Sequence, residues 1–190
     1  MRLENSFEVP AAPERAWELL MDVPRVVPCM PGTELTETVD DSTWKARMRV
    51  KLGPMSFAFA TDVKREDADE SARRARLSAR AREERGRGGG QATIESTLVP
   101  VDGGTRVQLV TDLTLQGPVA QYGRGMVEGV SAQLVDRFAE CLKAELSQPA
   151  NAGPPREAPA PRPAEAVSGL PLVLGALRRG VARLFRRRET

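Results

Sequence analysis

The sequence contains no histidine and only two cysteines, and these absences exclude several kinds of site. Histidine is the commonest general base and metal ligand, so its absence argues against an ordinary acid–base or metal centre. Cys29 and Cys141 fit no metal-binding spacing, and no phosphate-binding loop or nucleophile elbow occurs. We therefore expect a protein that is not an enzyme, holds no metal, and keeps both cysteines as free, reduced thiols in the cytosol.

Long apolar runs and a signal-peptide pattern are also missing. No apolar run approaches the roughly 18–20 residues of a membrane-spanning helix, and the sequence opens directly on strand-like residues. Only 4% of the residues are aromatic, and few of them stand among the basic residues. This pattern argues against nucleic-acid binding. The expected location is the cytoplasm.

Charge is divided unevenly along the chain. Eight arginines against three glutamates follow residue 148, so this part carries a net charge of +5 and the remainder carries −3. Residues 149–169 are rich in Pro and Ala, which predicts a disordered, flexible linker.

Residues 170–190 predict a basic amphipathic helix that lies on the anionic inner face of the membrane, with docking on a partner protein as the alternative. A helical wheel gathers the apolar side chains within about 120°, with most arginines outside that arc. The predicted membrane-binding residues are Leu170, Val173, Leu174, Leu177, Arg178, Arg179, Val181, Arg183, Leu184, Phe185, Arg186, Arg187 and Arg188.

Residues 1–148 predict a single α+β domain. Apolar and polar residues alternate in a series of segments separated by turn residues, which is typical of an antiparallel meander. One long helix with an apolar stripe follows, and a curved sheet of about six or seven strands around it would bury that stripe. The predicted strands are 2–9, 33–39, 43–52, 55–64, 73–82, 91–99 and 105–115, and the predicted helices are 13–22 and 118–147.

Three glycines fall inside the predicted long helix. Gly123, Gly125 and Gly129 would each cost roughly 1 kcal/mol relative to alanine. Either the helix packs closely on the sheet, or the missing side chains leave room for a ligand. Tyr122 beside them could hydrogen-bond a ligand carbonyl or simply pack half-buried.

The apolar residues of the sheet form either a plain core or the walls of a pocket of roughly 300–1,000 Å³. Ala75, Ala79 and Ala81 fill little volume opposite the helix, which favours a pocket slightly. The candidate ligand-binding residues are Trp44, Met48, Phe57, Phe59, Leu109, Val119, Tyr122, Gly123, Met126 and Val130.

Two further segments have a structural and a functional interpretation. Residues 28–32 (PCMPG) predict a rigid turn, or else a gate or contact surface, with Cys29 acting as a small buried apolar residue. Residues 73–87 contain seven arginines, which predicts a solvated face or a docking site for an acidic partner.

The layout and three segments resemble a known family. The segments are FEVPAAPERAWELLMDV at 7–23, CMPG at 29–32 and GPVAQYGRGMVEGVSAQLVDRFAECL at 117–142. The layout is similar to the helix-grip fold of the START/SRPBCC superfamily. Within that superfamily, the segments resemble the family of the carbon monoxide dehydrogenase G subunit.

The resemblance implies a non-catalytic accessory protein of molybdenum-containing, carbon monoxide dehydrogenase-type hydroxylases, placed peripherally on the cytoplasmic face of the membrane. It also implies a cavity for an apolar molecule such as a quinone, with no covalent cofactor. Two alternatives stay open: a membrane-recruitment adaptor without a ligand, and a small START-like cyclase or hydrolase.

Overall fold

Seven antiparallel strands form one sheet in the order β1-β7-β6-β5-β4-β3-β2. The computed structural model describes residues 1–53 and 55–147. The predicted linker 149–169 and the predicted tail 170–190 therefore lie outside the described residues. The expected α+β architecture, a curved antiparallel sheet with a C-terminal helix, is confirmed. The strands are β1 (Arg2–Val9), β2 (Thr33–Asp40), β3 (Thr43–Leu52), β4 (Met55–Asp69), β5 (Arg74–Glu83), β6 (Gly89–Val101) and β7 (Gly104–Gln116).

Two short helices connect β1 to β2. Helix α1 (Pro13–Met21) starts on a proline, whose missing N–H is not needed in a first turn. Helix α2 (Val23–Val26) and a 3-10 turn at Val27–Cys29 follow it. Buried Trp17 and Leu19 attach α1 to the sheet.

The long C-terminal helix begins later than its apolar stripe predicts. Helix α3 spans Arg124–Ser147, and the preceding residues form a separate 3-10 turn at Gly117–Gln121. Tyr122 separates the 3-10 turn from α3 because its backbone is extended, with φ −70° and ψ 121°. Gly123 consequently stands before the helix, and its carbonyl accepts the Met126 N–H at 3.0 Å.

Strand β4 extends beyond the predicted end at residue 64. Its last residues are acidic and have low intrinsic strand preference. They remain in the sheet because β5 pairs with them: Asp67 and Asp69 stand directly opposite Arg76 and Arg74 after a bulge, although both arginines form their ion pairs with Glu95 of β6. The partner strand supplies the backbone hydrogen bonds, and this gain is invisible in the segment alone.

The inner face of the sheet carries two separate apolar clusters. The larger joins β1, β6 and β7 to α1 and the second half of α3, with Phe7 and Phe138 in edge contact at 6.0 Å between ring centres. The smaller lies at the opposite end, where β3 and β4 meet the 3-10 turn at Gly117–Gln121. The apolar residues of α3 are therefore divided between two clusters.

The expectation of free thiols is wrong in the structure. Cys29 and Cys141 form a disulfide with a Cα–Cα distance of 5.3 Å, although 112 positions separate them. The second half of α3 packs back on the 3-10 turn at Val27–Cys29, so the tertiary fold brings the two residues together. Cys29 is buried, as expected, but as half of a crosslink.

The loop at residues 28–32 is a fixed turn, as one of its two interpretations predicts. Gly32 has φ +72°, and its carbonyl accepts the Arg49 N–H at 2.8 Å. A Cβ at Gly32 would lie 2.4 Å from the Arg49 carbonyl oxygen, so only glycine fits there.

Candidate functional site

Five of the ten candidate ligand-binding residues come together in the smaller apolar cluster. Phe57 and Phe59 stack along β4 with ring centres 6.1 Å apart, and the Tyr122 ring meets Phe57 edge-on at 6.2 Å. Phe57 is almost completely buried. Val119, Val130 and the half-buried Tyr122 complete the contact from the C-terminal part of the domain.

The other five candidates occupy different surroundings. Trp44 and Met48 lie on the inner face of β3, and the Arg65 guanidinium stands 5.3 Å above the centre of the buried Trp44 ring. Leu109 packs against the larger cluster instead. Met126, expected on the inner stripe of the helix, is 44% exposed. Gly123 is exposed and precedes the helix.

Close packing against the sheet does not explain the glycines at the start of α3. A Cβ added at Gly123, Gly125 or Gly129 would meet no atom within 4 Å. Gly125 and Gly129 stand two residues before and after buried Val127, so at about 100° per residue both lie on the opposite side of the helix. They face away from the sheet, and the room they leave does not lie between helix and sheet.

A strip of half-buried side chains, with two alanines at its centre, separates the two clusters on the inner face. Val63, Ala79, Ala92 and Leu113 stand opposite one another in register across four strands. These four, with flanking Thr61 and Thr111, form what we call the middle strip. All six are half-buried, so neither α3 nor the clusters cover them completely.

Sequence reasoning found Ala79 but missed most of the middle strip. Thr61, Ala92 and Thr111 are ordinary in their own segments, and only the register brings them side by side. The available signal was the run of short side chains at alternate positions in several strands. Such a run indicates an inner face that is not filled by its own side chains.

Three buried side-chain polar atoms in the described residues lack a hydrogen-bond partner, and they belong to Thr33, Thr61 and Arg87. The Thr33 and Thr61 hydroxyls belong to inner-face positions, opposite Met48 and Ala46 respectively. Arg87 stands at the turn after β5, with its guanidinium 5.7 Å above the Phe57 ring. Buried polar atoms normally have partners, so these three are groups that an ordered water or the polar group of a bound molecule would satisfy.

Glu83 holds Arg87 against the smaller cluster. One carboxylate oxygen accepts from the Arg87 guanidinium at 3.2 Å, and the other accepts the backbone N–H groups of Arg85 and Arg87. The hydrogen bond from the Arg87 side chain lowers the pKa of the buried Glu83 carboxyl below its ordinary value, while burial opposes this shift. The Arg87 Nε, the unpaired atom, stays free to donate.

The ion pair predicts a pH-dependent contribution to stability. Because the folded-state pKa of Glu83 is lowered, its contribution is complete above the ordinary value of about 4.3 and is lost as the pH falls through the folded-state pKa. In urea titrations we expect Glu83→Gln to lower the unfolding midpoint at neutral pH and to differ progressively less from wild type below pH ~4. A difference that stays constant down to pH ~3 would contradict this assignment.

A groove of about 450 Å³ lies elsewhere, between β1 and the first turns of α3. Its lining includes two ion pairs, Arg2 with Glu4 and Arg124 with Glu128, and Asn5 donates to the Ser131 hydroxyl at 3.2 Å. Its volume falls in the expected range, but its lining is polar. At the smaller cluster, a gap of only about 10 Å³ separates α3 from β3.

A family model for the G subunit of carbon monoxide dehydrogenase (CoxG) matches residues 6–147. The chain belongs to the CoxG family. The match includes all of α3, the Tyr122–Gly123 link before it, and the whole sheet apart from the first residues of β1. The expected resemblance is therefore confirmed, and no curated protein matches the chain.

Solved structures similar to this CoxG domain have the START-like fold. A conserved protein from Geobacillus kaustophilus is 22% identical, with 77% of this chain and 95% of that chain covered and a TM-score of 0.69. The ZhuI aromatase/cyclase from Streptomyces sp. R1128 is 17% identical, covers 77% and 93%, and has a TM-score of 0.54. A START superfamily protein from Mycobacterium smegmatis is 17% identical, covers 76% and 96%, and has a TM-score of 0.50.

Family and fold together suggest a ligand-binding accessory protein. Because one structural neighbour is an aromatase/cyclase, the fold by itself does not separate binding from catalysis. Within residues 1–53 and 55–147, no cluster of three or more metal-ligating side chains occurs. Helices in this part of the chain are all too short or too polar to cross a membrane.

Proposed function

We propose that this CoxG protein is a non-catalytic accessory protein that binds an apolar ring molecule, a quinone, between the inner face of the sheet and α3. The observation that carries the proposal is the set of unpaired buried polar atoms, of which Thr61 Oγ1 and Arg87 Nε lie along an apolar face. A quinone matches this arrangement because it is flat and apolar and presents carbonyl acceptors at opposite edges of the ring.

In this proposal the ring lies against the half-buried middle strip, and the smaller cluster supplies the wall. Short side chains at Ala79 and Ala92 let a flat ring approach the backbone of the sheet. Phe57 and Phe59 offer aromatic surface beside it. Donors at Thr61 and Arg87 would satisfy carbonyl oxygens that are costly to bury unpaired. Tyr122 is a further candidate donor, because it is half-buried in the same cluster.

The proposal also places the protein at the membrane, beside a partner enzyme. The predicted tail at 170–190 holds the domain at the anionic inner face of the membrane, through arginines and an apolar helix face. The partner is a carbon monoxide dehydrogenase-type molybdenum hydroxylase, as the family description suggests. A tethered domain of this kind can carry a quinone between the bilayer and the enzyme.

The test is quinone binding by two variants of β6 that differ only in the face they change. Ala92→Phe fills the middle strip from the inner face, whereas Thr93→Phe adds the same ring on the outer face. With the full-length protein and ubiquinone-1 as the probe, we expect Ala92→Phe to weaken binding by at least about tenfold and Thr93→Phe to leave it within about twofold. No binding by wild type, or equal effects of both variants, would contradict the proposal.

Replacing Thr61 by valine should separate binding from stability. The Thr61 hydroxyl is buried without a partner, so its removal is expected to raise the free energy of unfolding by about 1 kcal/mol. The same change is expected to weaken ubiquinone-1 binding by roughly tenfold, because a donor to the ring carbonyl is lost. Urea unfolding and a binding titration measure the two effects, and a variant that is less stable or binds equally well would refute the role given to Thr61.

In the adaptor alternative, the tail binds the membrane and the domain binds no ligand. Deletion of residues 170–190 would then release the protein from vesicles of anionic lipid, while Ala92→Phe would leave vesicle binding unchanged. Catalysis is the weaker alternative: Glu83 is the buried carboxyl group among the described residues, and Arg87 keeps its pKa low. A low pKa makes that carboxyl a poor proton donor near neutral pH.

A further inference from the structure

The outer face of the sheet gathers basic side chains in one place. Arg49 of β3 stands opposite Ala58 of β4, and Arg47 stands opposite Ala60. From the other side, Arg82 of β5 also stands opposite Ala60. Arg80 lies two residues before Arg82 on the same face. We call the set Arg47, Arg49, Arg80 and Arg82 the outer basic patch.

Most of this charge is not neutralised within the described part of the chain. Glu84 forms an ion pair with Arg47. Asp62 stands opposite Arg80 in the register, but the two side chains do not form an ion pair. Within residues 1–53 and 55–147, the arginines of the patch that form no ion pair are Arg49, Arg80 and Arg82.

The far end of β5 differs from the outer basic patch. Arg74 and Arg76 lie on the same face of the same strand, and both pair with Glu95 of β6. One strand face therefore carries an ion-paired half, at Arg74 and Arg76, and a half without ion pairs, at Arg80 and Arg82.

The residues between the arginines of the outer basic patch have short side chains or none. Ala58 and Ala60 lie between the arginines, and Gly89 of β6 stands beside Arg82. Because neighbouring strands are about 4.8 Å apart, Arg47 and Arg82 flank Ala60 across roughly 10 Å. Long arginine side chains beside short ones make a shallow trough of positive charge.

We propose that the outer basic patch is a docking site for an acidic segment of a partner protein. Arginine binds carboxylates with two parallel hydrogen bonds, and a trough of this width accepts an extended chain with its side chains. The predicted basic tail of this chain is excluded as the occupant by its own net charge of +5. Anionic bilayers fit less well, because the patch has no large apolar side chain to insert.

The test uses the full-length, ¹⁵N-labelled protein and a short poly-glutamate peptide as the probe, at about 0.1 M salt. We expect the backbone amide signals of Ala58, Ala60 and Arg82 to shift on titration. Arg80→Gln/Arg82→Gln is expected to weaken binding at those signals by about tenfold. The matched control, Arg74→Gln/Arg76→Gln, removes the same charge from the same strand and face, and its effect should stay below about twofold.

Three outcomes would overturn the proposal. Shifts confined to residues 156–188 would show that the peptide binds the basic tail. Equal weakening by both double variants would show a general charge effect without a site. Phosphatidylglycerol vesicles that shift the Ala58 and Ala60 signals, when the peptide does not, would assign the patch to a membrane. Thermal unfolding of both variants serves as the check that each is folded.

Discussion

Loss of the Cys29–Cys141 disulfide is expected to lower the free energy of unfolding by about 4 kcal/mol, corresponding to roughly 10 °C in Tm. The crosslink closes a loop of 112 positions, and a long closed loop restricts the unfolded chain strongly. It also joins the turn at Val27–Cys29 to the second half of α3. Urea unfolding of the protein with and without a reducing agent measures the effect.

The double variant Cys29→Ala/Cys141→Ala provides the control. It should unfold at the midpoint of the reduced wild type, and a reducing agent should not move it further. Identical midpoints for oxidised and reduced wild type would contradict the prediction. Disulfides persist mainly in oxidising compartments, so alkylation of thiols before cell lysis would also test the cytoplasmic location that we propose.

Replacement of Phe57 by alanine is expected to cost about 3–5 kcal/mol. Phe57 is 2% exposed, stacks on Phe59 and receives the edge of the Tyr122 ring. Its removal leaves a cavity that β4 cannot easily close, because the strand is paired with β3 at Val50↔Phe57 and with β5 from Phe59 onward. Chemical unfolding monitored by tryptophan fluorescence measures the loss, provided that the variant still folds.

Met55 supplies the matched comparison two residues away. It lies on β4 near Phe57, but it is 37% exposed. Met55→Ala is therefore expected to change the free energy of unfolding by less than about 0.5 kcal/mol. Similar losses for the two variants would mean that the smaller cluster is not a packed core. If Phe57→Ala does not fold, Phe57→Leu with an expected loss of roughly 1–2 kcal/mol keeps the prediction testable.

Strands could be predicted well because each carries its own signal. Residues 43–52 alternate apolar and basic side chains, and β3 occupies the same positions. The end of β4 could not be predicted, because Asp67 and Asp69 stay in the sheet by pairing with β5. A local pattern does not show which strand will stand opposite.

Some residues of the candidate site could likewise be predicted from the sequence, and others could not. Large apolar residues such as Phe57 and Phe59 could be selected from the sequence, since alternation places them on the buried face. Both interpretations of Gly125 and Gly129 are wrong, although their spacing of two residues from Val127 already places them on the side of the helix opposite the apolar stripe. The unpaired Thr61 hydroxyl could not be found at all, since pairing depends on every neighbour in space.

By itself, the sequence determined the class of the fold, the family and the order of the strands along the chain. Periodicity and turn residues involve only a few neighbouring positions, so both can be read directly from the sequence. Only the tertiary structure decided that Cys29 meets Cys141, that α3 begins at Arg124, and that half-buried side chains from four strands form the middle strip. These features depend on contacts between distant residues, which are set when the whole sheet and α3 pack together.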